Sequence, residues 1–352
     1  MVRLALGGDC LGYRWWHGGT PFRWIQPLLD SADVRAANME AVITDRRPTA
    51  KKYVRLTAPP RAPQFLQTAG FQAMQVENNH AMDCGQGGYM DTLAVLRATG
   101  IAPLGSGLAP YRRRVGSETV CLFGRHIYPE STWPMHNLRC MVREAAASGD
   151  VPIVSLHWGD EHMPVPAPWQ VAFGRSLIDA GAAVVFGHHP HVVQGVEAYH
   201  DGLIAYSLGN LNFWQLDCKP RWYNRLGGVL QVTIERGTVR DWELVPVHIG
   251  ADYAPRPLLK HFNIVSLLFS KLDGLVGRMT EAEWYDLFGW GYVGQTLHSS
   301  WKAVGRHGFA PLGRLWAWLG REHSQRAIRA ALRTGPVDRW AGFSSPFLGE
   351  LE

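Results

Sequence analysis

Short apolar, β-branched runs alternate with stretches of helical spacing over the first two thirds of the chain, the pattern of a layered α/β domain. Val2-Arg3-Leu4-Ala5-Leu6 predicts a first strand, with Asp9 in the loop at its end. Ala36 to Glu40 ends a second, and the two-residue repeat of a strand places Asn38 and Glu40 on one side. Ala73-Met74-Gln75-Val76 predicts a third, running into Glu77-Asn78-Asn79-His80, and Gly87 to Thr99 predicts a helix stopped by Gly100. The second half repeats the grammar. Val151 to Leu156 reads as a strand ending at His157, and Trp169 to Ala180 as a helix closed by Gly181. The buried run Ala182-Ala183-Val184-Val185-Phe186 then delivers Gly187-His188-His189-Pro190-His191. Leu203 to Tyr206 is a further strand, and Val229 to Glu235 with Val239 to Val247 forms a hairpin around Arg236-Gly237-Thr238.

After Pro255-Arg256-Pro257 the pattern becomes helix-like: Leu258 to Leu275, Thr280 to Phe288, Leu297 to Val304 and Leu312 to Leu332. The expected organisation is therefore an α/β domain over 1–255 and a helical, tryptophan-rich extension over 256–352. Trp284, Trp290, Trp301, Trp316 and Trp318 read as packing residues of that extension, or as an aromatic surface for a peptide.

Composition narrows the function classes. The 352 residues carry a formal charge of +5 with dispersed basic residues. Arg112-Arg113-Arg114 reads as a solvated surface loop, and no nucleic-acid partner is expected. Five scattered cysteines without a C-x-x-C pair suggest neither a disulfide framework nor a thiolate zinc site. The N-terminal run leaves no room for the apolar region of a signal peptide, and no stretch approaches the ~20 apolar residues that cross a bilayer. A cytoplasmic protein with no membrane partner is the expectation.

The chemistry lies at the strand ends, where open α/β sheets place their sites. Three histidines in the four positions 188–191 are hard to accommodate as core, since each ring nitrogen needs a partner. Asp9, Glu40, Asn79, His157 and the histidines 189–191 together offer carboxylate, amide and imidazole donors. That mixture suits Mn²⁺, Fe²⁺, Zn²⁺ or Mg²⁺, and the number of donors exceeds what one tetrahedral ion requires, leaving room for two ions.

Gly8-Asp9, Asn38-Met39-Glu40, Asn78-Asn79-His80-Ala81-Met82-Asp83-Cys84-Gly85, Leu156-His157-Trp158-Gly159, Gly187-His188-His189-Pro190-His191 and Ser207-Leu208-Gly209-Asn210 resemble, in order and spacing, the motifs of the CapA, or poly-γ-glutamate capsule synthesis, family. The resemblance covers about residues 2 to 250. It implies a calcineurin-like metallophosphoesterase fold, a four-layered α-β-β-α sandwich with the metal centre between the sheets. It further implies Asp9, Glu40, Asn79, His157, His189 and His191 as metal ligands, His80 as an imidazole acting near a leaving group, and Glu161 as a contact to those ligands or to the substrate. His80 alternatively makes a structural hydrogen bond to Asp83. Two departures stand out: the phosphoesterase pattern Asp-x-His is replaced by Asp9-Cys10-Leu11, and a membrane anchor, often found in capsule-synthesis members, is not expected here.

Soluble CapA-like proteins include epimerases that invert the C-terminal residue of ribosomal lasso precursor peptides. The resemblance therefore implies a metal-dependent acid/base epimerase with a peptide substrate, in which one group removes a Cα proton and another returns it from the opposite face. Asp9 is one candidate for that pair, and His298, with His307 behind it, is the candidate from the extension. The alternatives are a metal-dependent hydrolase of a phosphoester or peptide-like bond, and a polyglutamate or capsule assembly protein.

Overall fold

A computed structural model describes residues 1–12, 20–213, 222–258, 262–307 and 319–334. The first half of the chain runs β1 (Val2–Cys10), α1 (Gln26–Asp30), β2 (Val34–Met39), the short pair β3 (Val42–Ile43) and β4 (Thr57–Ala58), α2 (Ala62–Thr68), β5 (Ala73–Gln75), α3 (Gly85–Ala98), β6 (Ala102–Leu104), β7 (Tyr111–Val115) and β8 (Glu118–Ile127). The second half continues with α4 (Thr132–Ala147), β9 (Asp150–Trp158), α5 (Pro168–Asp179), β10 (Val184–His188), β11 (Val196–Tyr199), β12 (Gly202–Ala205), β13 (Asn210–Asn212), β14 (Leu226–Glu235), β15 (Thr238–Ile249) and β16 (Pro255–Pro257). The helices α6 (Phe262–Asp273), α7 (Glu281–His307) and α8 (Glu322–Thr334) close the described chain.

The strands form two large sheets, one ordered β16-β15-β14-β1-β2-β5-β6 with β13 also on β1, the other β11-β12-β10-β9-β8-β7. Side-chain alternation explains their stacking. Leu4, Leu6, Val34 and Ala36 of the first sheet meet Leu122, Ile153, Val184 and Phe186 of the second in one apolar layer. The residues between them in sequence point the other way: Ala5 and Ala37 pack with Leu29, Leu66 and Leu93 of α1 to α3, while Cys121, Val154 and Val185 pack with Leu138, Val142 and Leu177 of α4 and α5. The result is the four-layered α-β-β-α sandwich expected from the resemblance. β1, β2 and β5 are mutually parallel, as are β8, β9 and β10, so each set ends at a common edge.

Some local expectations are corrected. Asp9 lies within β1 rather than in a loop after it, because β13 pairs with β1 there and the register shifts past Leu6. Arg112 to Arg114 form the exposed edge strand β7 rather than a loop, and charged side chains on an edge discourage further strand addition. The helices expected at Thr280 to Phe288 and Leu297 to Val304 are one helix, α7. Gly289 within it is used in packing: a Cβ there would come within 2.8 Å of the Ala327 carbonyl oxygen of α8. The hairpin turn agrees with its sequence, with Arg236 and Gly237 both at positive φ.

α6 covers Val193 and Leu226, and α7 and α8 pack through Trp284, Tyr285, Ala327 and Ala330 on Met163, Val165 and Ala167. Arg326 pairs with Glu281 and Arg333 with Asp286, so charges also tie α8 to α7. Trp284 is buried, whereas Trp290 and Trp301 are exposed; Trp316 and Trp318 lie outside the described residues. Among the described residues no helix is long and apolar enough to cross a membrane.

Candidate metal centre

Two close backbone crossings shape the site. A Cβ on Gly8 would lie 2.0 Å from the Gly209 carbonyl oxygen, and one on Gly187 would lie 1.9 Å from that of Tyr206. Only glycine lets these strand ends approach so closely. Beyond β10 the chain turns sharply, with His189 at φ 96° and His191 at φ 55°. Such conformations cost non-glycine residues about 1–3 kcal/mol each and persist where the surroundings enforce them. Here the His189 amide donates to Asp9 Oδ2 at 3.2 Å, and the His191 ring stacks on Phe213 with centroids 4.6 Å apart.

Three overlapping groups of donor atoms result: Glu40 with His157 and His189, Asp9 with Glu40 and His191, and Glu161 with His189 and His191, the atoms of each group lying within 4.8 Å of one another. The ligands named from sequence thus come together from β1, β2, β9 and the loop after β10. Asn79 joins them from the loop after β5, with Oδ1 3.1 Å from His157 Nε2. Glu161, expected only as a contact to the ligands or to the substrate, stands among the donors. His298 lies on α7, but its side chain, like that of His307, is outside the described residues.

The electrostatics fit a divalent ion. Among the described residues, both carboxylate oxygens of Glu40 and Nδ1 of His189 are buried without a hydrogen bond. The His191 ring stands near Glu40 at ion-pair distance, Nε2 to Oε1 3.4 Å. Burial pushes the Glu40 carboxyl up to about 7, with Asp9 adding to the effect and His191 opposing it. Burial also favours the neutral form of Asp9, but the hydrogen bond and charge of His191, with His188 and Asn38, hold it below the usual carboxylate range. Burial and neighbouring rings push His157 and His189 well down, leaving them neutral and able to ligate. Burial alone would lower His191 as well, but the charges of Glu40 and Asp9 hold it well above its ordinary value. Buried oxygen and nitrogen donors that face one another without mutual satisfaction match the requirements of one or two divalent cations.

A surrounding shell orients these groups. Asn38 Nδ2 donates to Asp9 Oδ1 at 2.7 Å and lies 3.4 Å from His157 Nδ1, while Asn78 Nδ2 donates to Asn38 Oδ1 at 3.3 Å. Asn210 Oδ1 is 3.0 Å from His191 Nδ1. His188, outside the donor groups, is held by Ser155 Oγ at 2.9 Å. His80 sits beside Asn79 with Nδ1 2.7 Å from Asp83 Oδ2, the pairing its spacing allows. Lys52, for which the sequence carries no signal, completes this cluster, 2.6 Å from Asp83 Oδ1 and 3.0 Å from His80 Nδ1. Burial and the Lys52 charge lower the His80 imidazole to about 4.

His126 is a residue that sequence reasoning missed. It lies in register with His157 across β8 and β9, the rings meet edge to face at 5.1 Å, and burial lowers it to about 4. A histidine near the end of the apolar run Val120 to Ile127 was the available signal. At the position where the pattern Asp-x-His has its histidine, Leu11 is apolar and buried.

Comparison with known proteins matches residues 7–115 and 126–215 to the family described as bacterial capsule synthesis protein PGA_cap. The PGA biosynthesis protein CapA of Bacillus subtilis is 27% identical over 260 residues, covering 68% of this chain and 67% of that protein. The capsule biosynthesis protein CapA of Bacillus anthracis is 28% identical over 220 residues, 55% of this chain and 54% of that protein. Among solved structures, a hypothetical protein from Thermus thermophilus superposes with a TM-score of 0.49 at 15% identity, covering 69% of this chain and 98% of its own. With its donor residues falling inside the matched segments, the chain belongs to the bacterial capsule synthesis family.

Proposed function

We propose that the chain is a metal-dependent acid/base enzyme that acts on a peptide, inverting a Cα centre beside a carboxylate or amide oxygen held at the metal centre. The C-terminal residue of a ribosomal lasso precursor peptide is the substrate this reading favours. Bound divalent ions would contribute positive charge at that oxygen, stabilising the negative charge that develops when the Cα proton leaves. Asp9, kept ionised by its neighbours, is assigned the proton on one face. His298 is assigned the other, with His307 behind it.

The observation that carries this reading is the course of α7. Lys302, one turn beyond His298, lies over the Tyr53 ring at 4.8 Å, and the adjacent Lys52 donates to the Asn79 carbonyl at 2.9 Å. The helix bearing His298 therefore runs beside the segment that borders the donor cluster. The apolar Leu11 also weakens the case for two equally ligated ions working on a phosphoester.

The test is mass spectrometry of a precursor peptide encoded beside this gene, incubated with manganese-loaded protein in D₂O. Gain of one deuteron by an intact peptide is expected, and His298→Ala should abolish it with metal content unchanged. An intact peptide without deuterium overturns the reading, and full exchange in His298→Ala removes that residue from it.

A second reading, metal-assisted hydrolysis or a role in polyglutamate assembly, is favoured by the names of the relatives, PGA and capsule biosynthesis proteins. Cleavage of a γ-glutamyl oligomer under the same conditions would select it.

A further inference from the structure

The segment between β9 and α5, which contains no helix or strand, carries Glu161 to the donor group of His189 and His191. It is held from two sides. On the inner side the His162 amide donates to Pro190 O at 2.7 Å, and Gln194 Nε2 donates to Met163 O at 2.8 Å. On the outer side the contacts come from the C-terminal helices. Trp284 Nε1 of α7 donates to Val165 O at 3.2 Å. His323 Nε2 of α8 lies 3.3 Å from Asp160 Oδ1, and Tyr285 Oη of α7 lies 2.5 Å from His323 Nδ1. Asp160, His323 and Tyr285 are all buried. A water-excluded chain of polar contacts between two helices and a loop is stronger than the same contacts at the surface, and it fixes side-chain direction.

We propose that the Tyr285–His323–Asp160 array is a positioning device of the metal centre, through which α7 and α8 hold Glu161 at ligating distance and so govern filling of the position shared with His189 and His191. This rests on the metal-centre reading given above. The other donors stand on or directly after strands whose hydrogen-bonded neighbours fix them, as Asp9 is fixed between Asn38 and Asn210. Glu161 stands on an irregular segment with its side chain 28% exposed, so its placement depends on what grips the segment. Asp160, the adjacent residue, is the point of grip. Disturbing the array should therefore act selectively: the group of Asp9, Glu40 and His191 keeps its affinity, and the group containing Glu161 loses it.

The experiment is titration of the metal-stripped full chain with manganese(II), counting bound equivalents by mass spectrometry of the metal and free ion by electron paramagnetic resonance. The unaltered chain is expected to bind two equivalents. His323→Ala should bind the first unchanged and the second at least about tenfold more weakly, a size typical of groups that orient ligands. His323→Gln, which keeps a donor towards Asp160, should recover part of the loss, and Tyr285→Phe, which keeps the ring packing, should show a smaller one. Glu161→Gln should reproduce the selective loss, and the double variant Glu161→Gln/His323→Ala should be no worse than Glu161→Gln. Two equivalents of unchanged affinity in His323→Ala and Tyr285→Phe, whatever their melting temperatures, would show a merely structural array and overturn the inference alone. An unaltered chain that takes up no manganese would overturn the metal-centre reading and the inference together.

Discussion

Two buried polar clusters lie side by side at the strand ends and are satisfied in opposite ways. In the first, Asp83 has Oδ1 2.6 Å from Lys52 Nζ, while Oδ2 accepts from the Leu56 amide at 2.7 Å and lies 2.7 Å from His80 Nδ1. Burial would raise its carboxyl, but His80 and Lys52 hold it below the ordinary range. In the second, Glu40 is equally buried yet neither oxygen has a hydrogen bond among the described residues, and burial drives its carboxyl up to about 7. A buried carboxylate is costly unless it is paired and hydrogen-bonded. Among the described residues, the first cluster completes itself with protein atoms, whereas the second leaves carboxylate and imidazole donors that a bound cation would complete. Residue type alone does not separate the two, since both combine histidine with carboxylate.

The largest expected effect separates them directly. Glu40→Ala or His189→Ala should lose at least about 100-fold in manganese affinity, since even groups that only orient ligands cost 10–100-fold; equilibrium dialysis against the metal reads it. Uptake unchanged in both variants would remove them as ligands. Next, manganese at 100 times its Kd should stabilise the unaltered chain by about 2.7 kcal/mol in urea unfolding, and a chelator should reverse the gain. Asp83→Asn should cost about 1–3 kcal/mol with and without metal, because it leaves Lys52 and His80 imperfectly paired. Its manganese stoichiometry should stay that of the unaltered chain. Loss of metal in Asp83→Asn as severe as in Glu40→Ala would mean that the clusters act as one, and the contrast drawn between them would fail.

Much of this was legible in the residues. The positions of Asp9, Glu40, Asn79, His157, His189 and His191 at strand ends follow from apolar runs that stop at polar residues, and the layered α/β class follows from the alternation, while the four layers were implied by the family resemblance. What escaped depends on tertiary placement. Lys52 lies in an irregular segment with no periodicity, and nothing local says that it folds over Asp83. Asp160 and His323 are 163 positions apart and meet only because α8 packs on α7 and both pack on the 163–167 segment. The two helical segments expected at Thr280 to Phe288 and Leu297 to Val304 are one helix, against which α8 packs closely at Gly289. Glu161 showed only a weak signal, since an acidic residue in a loop is ordinarily a solvent contact.

The smallest expected effect is a pH dependence whose sign differs between the clusters. In the metal-free chain the raised Glu40 carboxyl binds a proton in the native state that the unfolded state releases above its ordinary value near 4.5. Its contribution to stability is present below that value and is lost as pH rises through about 7. His80 runs the other way. Its imidazole stays neutral in the native state down to about 4, whereas the unfolded ring takes up a proton below its ordinary 6.5, so stability falls as pH drops across that interval. Binding of a cation displaces the Glu40 proton, so this group should raise manganese affinity by about fivefold between pH 6 and 7 and by about twofold more between pH 7 and 8. Isothermal titration at pH 6, 7 and 8 reads this, with Glu40→Gln as the comparison, since an amide releases no proton there. An affinity flat from pH 6 to 8 in the unaltered chain would mean that Glu40 is already ionised without metal, and its buried oxygens would then need another source of positive charge, with His191 the nearest one at hand.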